Sequence, residues 1–143
     1  MRAALAVALL LSACGDAVRE RPDPGFQGFD PAGLDVECRF VSTLNSFPDM
    51  PPVFVTLAND ELNGARVNYS GEMLELGTRD GFDPDGGAQV VSYRIQEYGS
   101  FGVELNLRPL TGDDYAPQSF EGTVTFVGPK RVSAPIAGSC DGS

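Results

Sequence analysis

The stretch Phe101-Gly-Val-Glu-Leu-Asn-Leu-Arg108 decides the fold class. Every odd-numbered residue in it is apolar, and every even-numbered residue is glycine or polar. An alternation of period two predicts a β-strand with one buried face and one face in water, because successive side chains of a strand point to opposite sides. A helix would need apolar residues three and four positions apart, and that spacing is missing here.

The same alternation recurs along the chain between short turn sequences, and it predicts strands at 35–44, 53–58, 65–69, 72–78, 89–98, 120–127 and 132–140. In the first of these, Val36, Cys38, Phe40 and Leu44 fall on one face, and in the second Val53, Val55 and Leu57 fall together. About eight short strands without a helical period indicate an all-β domain, either a single antiparallel β-sandwich or a small β-barrel.

The N-terminus carries a different signal. Arg2 precedes an apolar run at 3–11, and small residues then lead to Cys14, which is the layout of a secretory signal peptide. The run is too short to span a bilayer. Its end, Leu11-Ser12-Ala13-Cys14, resembles the lipobox of bacterial lipoproteins. That resemblance implies cleavage before Cys14 and a diacylglycerol on its thiol; an ordinary cleaved signal is the alternative.

The predicted organisation is a signal peptide at 1–13, a lipidated cysteine with a flexible tether at 14–34, and a β-domain at 35–141. The tether lacks periodicity, although Phe26 and Phe29 could dock on the domain or the membrane. We expect the domain to be held at the membrane through the N-terminal lipid, facing the periplasm. Gly15 rather than Asp follows the cysteine, which favours the outer over the inner membrane.

With Cys14 lipidated, Cys38 and Cys140 remain as a pair in an exported, oxidising compartment. Both fall on the inward faces of their strands, so we predict a disulfide between them. The bond requires Cα atoms within about 7 Å, and it therefore makes the first and last strands of the domain neighbours or places them across the core. Closing a loop of about a hundred residues is worth roughly 4–5 kcal/mol in the loop-entropy model.

The formal net charge is −10, from 20 acidic and 10 basic residues. This balance argues against binding nucleic acid or anionic lipid headgroups, which need basic patches. Solubility of a surface-exposed protein is the favoured interpretation of the acidity, and a cationic envelope protein as partner is the alternative. Two acidic pairs, Asp60-Glu61 and Asp113-Asp114, and the Asp-rich loop at 80–87 would form an acidic rim if they shared one end of the fold.

The chain contains no histidine, which excludes Ser-His-Asp and Cys-His catalysis and His-ligated metals. No phosphate-binding glycine motif occurs either. Carboxylate-only catalysis, as in glycosidases, stays an alternative because two acidic residues can converge in space, but it is rare in a domain this small. We therefore predict no cofactor, no catalytic residues and no enzymatic activity. Asp80, Asp83 and Asp85 are candidate Ca²⁺ ligands, but their spacing differs from that of an EF-hand. A solvated turn is the favoured interpretation, and we predict no metal.

These observations favour a lipid-anchored β-domain of the cell envelope that acts by binding or structural contact. One alternative is an inhibitor of a cationic enzyme, because the lipobox, single barrel and disulfide are similar to the small lipoprotein inhibitors of c-type lysozyme. The chain lacks that family's Trp segment, and Gly64-Ala65 matches only a fragment of its Ser-Gly-x-Gly-Ala-x-Tyr motif. Another alternative, a lipocalin-like carrier of small ligands, requires an unfilled barrel.

Overall fold

The computed structural model describes residues 25–44 and 49–140, and these residues form strands, turns and loops without a helix. The signal peptide, Cys14 and the first part of the predicted tether lie outside the described residues. The nine strands are β1 (Phe26–Gln27), β2 (Val36–Ser42), β3 (Phe54–Leu57), β4 (Ala65–Tyr69), β5 (Glu72–Gly77), β6 (Gln89–Ile95), β7 (Gly102–Leu110), β8 (Ser119–Val127) and β9 (Arg131–Cys140).

Strands β2 to β9 pair antiparallel in chain order, and β9 returns to pair with β2. The result is a closed, eight-stranded, up-and-down barrel with β1 added outside the ring. The prediction of an all-β domain is confirmed, and closure decides for the barrel over the sandwich. Closing the ring removes the free edges that an open sheet would expose. No apolar helix long enough to cross a bilayer is found in the part of the chain described.

The disulfide joins the two strands that close the ring. Cys38 on β2 lies directly opposite Cys140 on β9, with a Cα–Cα distance of 4.1 Å and a sequence separation of 102 residues. Both side chains are buried. The predicted disulfide is therefore confirmed, and so is the predicted contact between the first and last strands of the barrel.

The barrel interior is filled by side chains from all eight strands. The alternation on β7 is confirmed, because Val103, Leu105 and Leu107 are all buried within the core. Two inward positions are glycines, Gly122 and Gly138, where an added Cβ would collide with the backbone of the neighbouring strand. At these two places the barrel closes tightly enough to exclude any side chain.

Two details of the predicted faces are wrong. Leu44 is 73% exposed because β2 ends at Ser42, before the predicted strand does. On β3 the inward residues are Phe54 and Thr56. Val53 is buried in the core as predicted, whereas Val55, although fully buried, lies opposite Arg66 on the outer side. The segment 53–57 is apolar at nearly every position, so its alternation is too weak to set which face is buried.

The described part of the predicted tether, 25–34, belongs to the fold. Phe26 of β1 lies opposite Tyr69 at the end of β4, and Phe29 is buried. Pro51 and Pro52 precede β3 and have no N–H for pairing, so β3 does not extend along this part of β4. Strand β1 takes the position that β3 leaves open.

Candidate functional site

The topology groups the acidic loops. In an antiparallel meander every second connection lies at the same end, so the loops 58–64, 78–88 and 111–118 surround one mouth of the barrel. We call this mouth the acidic end; its loops contain Asp60, Glu61, Asp80, Asp83, Asp85, Asp113 and Asp114, with Arg79 as their only cation. The order of the strands therefore brings the three acidic segments to one end of the fold, which is the condition stated above for an acidic rim.

The aspartates of the 78–88 loop are used mainly to build the loop. Asp83 Oδ1 accepts a hydrogen bond from the Asp85 backbone N–H at 2.9 Å. The Gln89 side-chain amide accepts a hydrogen bond from the Asp83 N–H and donates one to the Asp83 carbonyl. The Gln118 side-chain amide donates to Asp85 Oδ1 at 2.8 Å. Among the residues described, no group of three potential ligands converges as a metal site would require.

Phe82 lies in the middle of this loop and enters the barrel. Its ring packs edge-to-face on Phe40 and on Phe120, at centroid distances of 6.0 and 5.0 Å. The interpretation of 80–87 as a solvated turn overlooked this contact. A phenylalanine among Asp, Gly and Pro was the available signal, because an aromatic ring gains most from burial.

Beside Phe82 the acidic end contains a cavity of about 190 Å³. Its charged lining residues are Glu37, Asp60 and Asp80, and no cationic side chain within the described chain lines it. Tyr93 and Asn63 also contribute to the wall. We call this space the mouth cavity.

Glu37 reaches the mouth cavity because of a β-bulge. The register between β2 and β3 shifts between Val36 and Cys38, which leaves Glu37 as the extra residue. The pattern placed Glu37 on the outer face, but a bulge re-aims a side chain at a barrel rim. Burial, and then the negative charge of Asp83, raise the pKa of the half-buried Glu37 carboxyl.

Within the part of the chain that the structure describes, the Glu37 carboxylate accepts no hydrogen bond from an N–H or O–H group. Cys38 Sγ lies 4.0 Å from Glu37 Oε1, but a disulfide sulfur carries no hydrogen to donate. Asp60 provides the contrast, because its Oδ2 accepts hydrogen bonds from the backbone N–H groups of Leu62 and Gly64. Asp60 therefore fixes its loop, whereas the carboxylate of Glu37 remains available.

Tyr93 on β6 points inward, as predicted, and is 3% exposed. Its hydroxyl is buried and has no hydrogen-bond partner among residues 25–44 and 49–140. A buried hydroxyl without a partner costs about 1–3 kcal/mol. Burial, and then the negative charge of Glu37, raise the pKa of Tyr93. The alternation identified the position of Tyr93 but gave no information on its hydroxyl.

The opposite mouth is closed by aromatic rings, and we call it the aromatic end. Tyr69 and Phe126 stack with ring centroids 4.1 Å apart, and Phe26 and Phe101 pack against them edge-to-face. A shallow apolar cavity of about 240 Å³ lies beside these rings. The Tyr98 hydroxyl at its edge donates to the Glu72 carboxylate.

No protein family, curated protein or solved structure matches this chain. The contrast between the two ends of the barrel is therefore the feature that bears on function. The acidic end concentrates negative charge around a polar cavity, and a surface of that kind favours cationic groups.

Proposed function

We propose that this protein is a lipid-anchored, non-enzymatic domain of the cell envelope that binds a cationic protein through its acidic end. The observation that carries the proposal is the placement of the three acidic loops at one mouth, with the described chain beginning at the other. Gly25 is hydrogen-bonded in both directions to Ser70, in the turn between β4 and β5. A lipid on Cys14 would thus tether the aromatic end and leave the acidic end facing away from the membrane.

The position of Gly25 also shortens the predicted tether. Ten residues, 15–24, separate Cys14 from Gly25, compared with twenty between Cys14 and the predicted start of the β-domain at 35. Negative membranes repel a net charge of −10, and presenting the acidic loops away from the bilayer reduces this repulsion. The geometry and the charge therefore favour the same orientation.

The structure bears differently on the two alternatives, an inhibitor of a cationic enzyme and a carrier of small ligands. A cationic enzyme such as lysozyme is one specific form of the proposed partner, and the barrel closed by a disulfide between its first and last strands supports keeping it as a test case. A lipocalin-like carrier needs an internal chamber. The interior here is occupied by buried side chains, including Phe40, Phe54 and Phe120, which argues against a carrier.

The test compares the two ends in the anchored protein. A photoreactive residue at Asp113 samples the acidic end, and one at Lys130 samples the aromatic end; both positions are exposed. We expect crosslinks to one cationic envelope protein from position 113 only, and these should weaken as salt is raised. Equal capture of that protein from both positions, or capture insensitive to salt, would contradict the proposal.

Two further measurements test the anchor and the enzyme-inhibitor alternative. Labelled palmitate should enter the wild-type protein and not the Cys14→Ala variant, while binding by the soluble domain is retained. Purified domain added to c-type lysozyme at low salt should slow cell-wall lysis if lysozyme is the partner. Unchanged lysis would exclude lysozyme and leave other cationic proteins.

A further inference from the structure

The mouth cavity combines two groups that both lack a counterpart. The Tyr93 hydroxyl is buried without a hydrogen-bond partner in the described structure, and the half-buried Glu37 carboxylate accepts no N–H or O–H hydrogen bond there. Buried polar groups in native proteins are nearly always satisfied, by protein, water or ligand. A buried hydroxyl without a partner, next to a half-buried carboxylate in the same cavity, indicates that something else completes this site.

We propose that the mouth cavity binds a primary ammonium group, that of a lysine side chain on the cationic partner. This inference rests on the proposed function and adds the chemical group that is recognised. Glu37 and Asp80 supply negative charge at the wall of the cavity, and Tyr93, which also lines it, supplies a neutral hydroxyl oxygen.

The charged residues around the mouth cavity favour a positively charged ligand. Each charged residue lining the mouth cavity is acidic, and the pKa of Glu37 is already raised by burial and by Asp83. An anion would add to this repulsion, and an apolar group would leave the carboxylate and the hydroxyl desolvated without a partner. A cation that donates hydrogen bonds relieves both costs at once.

The arrangement of acceptors favours an ammonium over a guanidinium. Arginine is suited to a planar, two-pronged contact with a single carboxylate, whereas an ammonium is compact and directs three donors to separate acceptors. Here the acceptors come from separate elements: Glu37 from the bulge of β2, Asp80 from the 78–88 loop, and Tyr93 from β6. The cavity volume of about 190 Å³ suits the end of one unbranched side chain.

The loops 58–64 and 78–88 line the mouth cavity together with Tyr93, whose buried hydroxyl has no partner in the described structure. These loops are joined to each other by Asn63, whose Nδ2 donates to the Arg79 carbonyl at 2.9 Å. We therefore expect the chemical shifts of the 58–64 and 78–88 loops to change together when the site is filled.

The experiment is a titration of the soluble domain, with its disulfide intact, followed by ¹H–¹⁵N NMR. The probe is Nα-acetyl-lysine amide, whose only charge is the side-chain ammonium. The matched probe is its Nζ-trimethyl derivative, which has the same charge and no N–H donor on its charged group. We expect saturable shifts around Glu37, Asn63, Asp80 and Tyr93 with the first probe, and at least about tenfold weaker binding of the second.

Variants locate the effect. Glu37→Gln should weaken lysine-probe binding about tenfold or more, and Tyr93→Phe about threefold to tenfold, because a hydrogen bond to a charged group is worth more than a neutral one. Glu97→Gln makes the same charge change in the loop at the aromatic end and should alter affinity less than twofold. It therefore serves as the control for net charge.

Equal binding of the two probes, or equal weakening by Glu37→Gln and Glu97→Gln, would overturn the inference, because general electrostatic attraction would then explain the data. Absence of saturable shifts would overturn it as well. In each of these cases a salt-sensitive crosslink from position 113 would still stand, so failure of the lysine site is distinguishable from failure of the proposed function.

Discussion

The two mouths of this barrel are built from the same eight strands but are closed by different physical means. At the aromatic end the stacked rings of Tyr69 and Phe126 fill the opening with carbon. At the acidic end one ring, Phe82, covers the core, and the remaining space is bordered by carboxylates and by the unpartnered Tyr93 hydroxyl. Packing stabilises the first mouth, whereas the second retains polar groups that cost stability.

This difference indicates where function is located. Places that break the rules of burial and hydrogen bonding, while the rest of a fold obeys them, are expected at functional sites. Glu37 and Tyr93 break those rules within one cavity, and no comparable pair occurs at the aromatic end as described. The following predictions test this contrast, beginning with the largest effect.

Removing the disulfide should have the largest effect. The double variant Cys38→Ala/Cys140→Ala loses a crosslink over 102 residues, which the loop-entropy model values at about 4–5 kcal/mol. We expect urea denaturation to show a loss of this size, and hydrogen exchange to rise more at the acidic end, where the bond lies. Cys14→Ala is the control and should leave the unfolding midpoint unchanged. Uniform acceleration of exchange would show that the two ends are not independent.

Truncating a ring at the aromatic end should rank second. Phe126→Ala removes the partner of Tyr69, and we expect a loss of about 2–4 kcal/mol in the free energy of unfolding because large-to-small changes leave a cavity. Affinity for the lysine probe should stay within twofold, since the site lies at the other mouth. Tyr69→Phe keeps the stack and should cost much less. Reduced probe affinity in Phe126→Ala would mean that the ends are coupled.

Tyr93→Phe should stabilise the protein. The substitution removes a buried hydroxyl that has no partner in the described structure, and we expect a gain of about 1 kcal/mol in the free energy of unfolding. Tyr98→Phe is the matched control at the aromatic end, where an exposed hydroxyl donates to Glu72, and it should be nearly neutral. A clear loss of stability in Tyr93→Phe would reveal a hydrogen-bond partner for this hydroxyl, such as a bound water.

Glu37→Gln should give the smallest effect, and one that depends on pH. Burial and Asp83 raise the folded-state pKa of Glu37 above its unfolded value, so the folded state gains stability when Glu37 is protonated and loses that gain as pH rises through the folded pKa. The glutamine variant should therefore be slightly more stable than wild type at neutral pH. The difference should vanish below pH of about 4, where the carboxyl is protonated in both states.

Thermal unfolding across this pH range measures the difference. Glu97→Gln is again the matched control, because it also removes one negative charge, in the loop at the aromatic end. A gain of the same size in both variants would attribute the effect to net charge rather than to the cavity.

Much of the fold could be predicted because period-two alternation is a local property. Val103, Leu105 and Leu107 are buried as their pattern predicts, and Cys38 meets Cys140 because both fall on inward positions. The pattern failed where it was weak or interrupted: β3 is apolar on both faces, and the bulge at Glu37 shifts the register. The predicted tether was too long, because Phe26 pairs with Tyr69 at the end of β4. That position on β4 is available only once the barrel has folded.

The sequence by itself determined that this chain forms short antiparallel strands, that Cys38 and Cys140 face inward, and that its charge suits a cationic partner. It also predicts the lipid anchor at Cys14. Only the tertiary structure decided that the ring closes, that three acidic loops share one mouth, and that Glu37 and Tyr93 meet in the same cavity. The physical reason is that alternation is set by neighbouring residues, whereas a mouth is assembled from strands far apart in the chain.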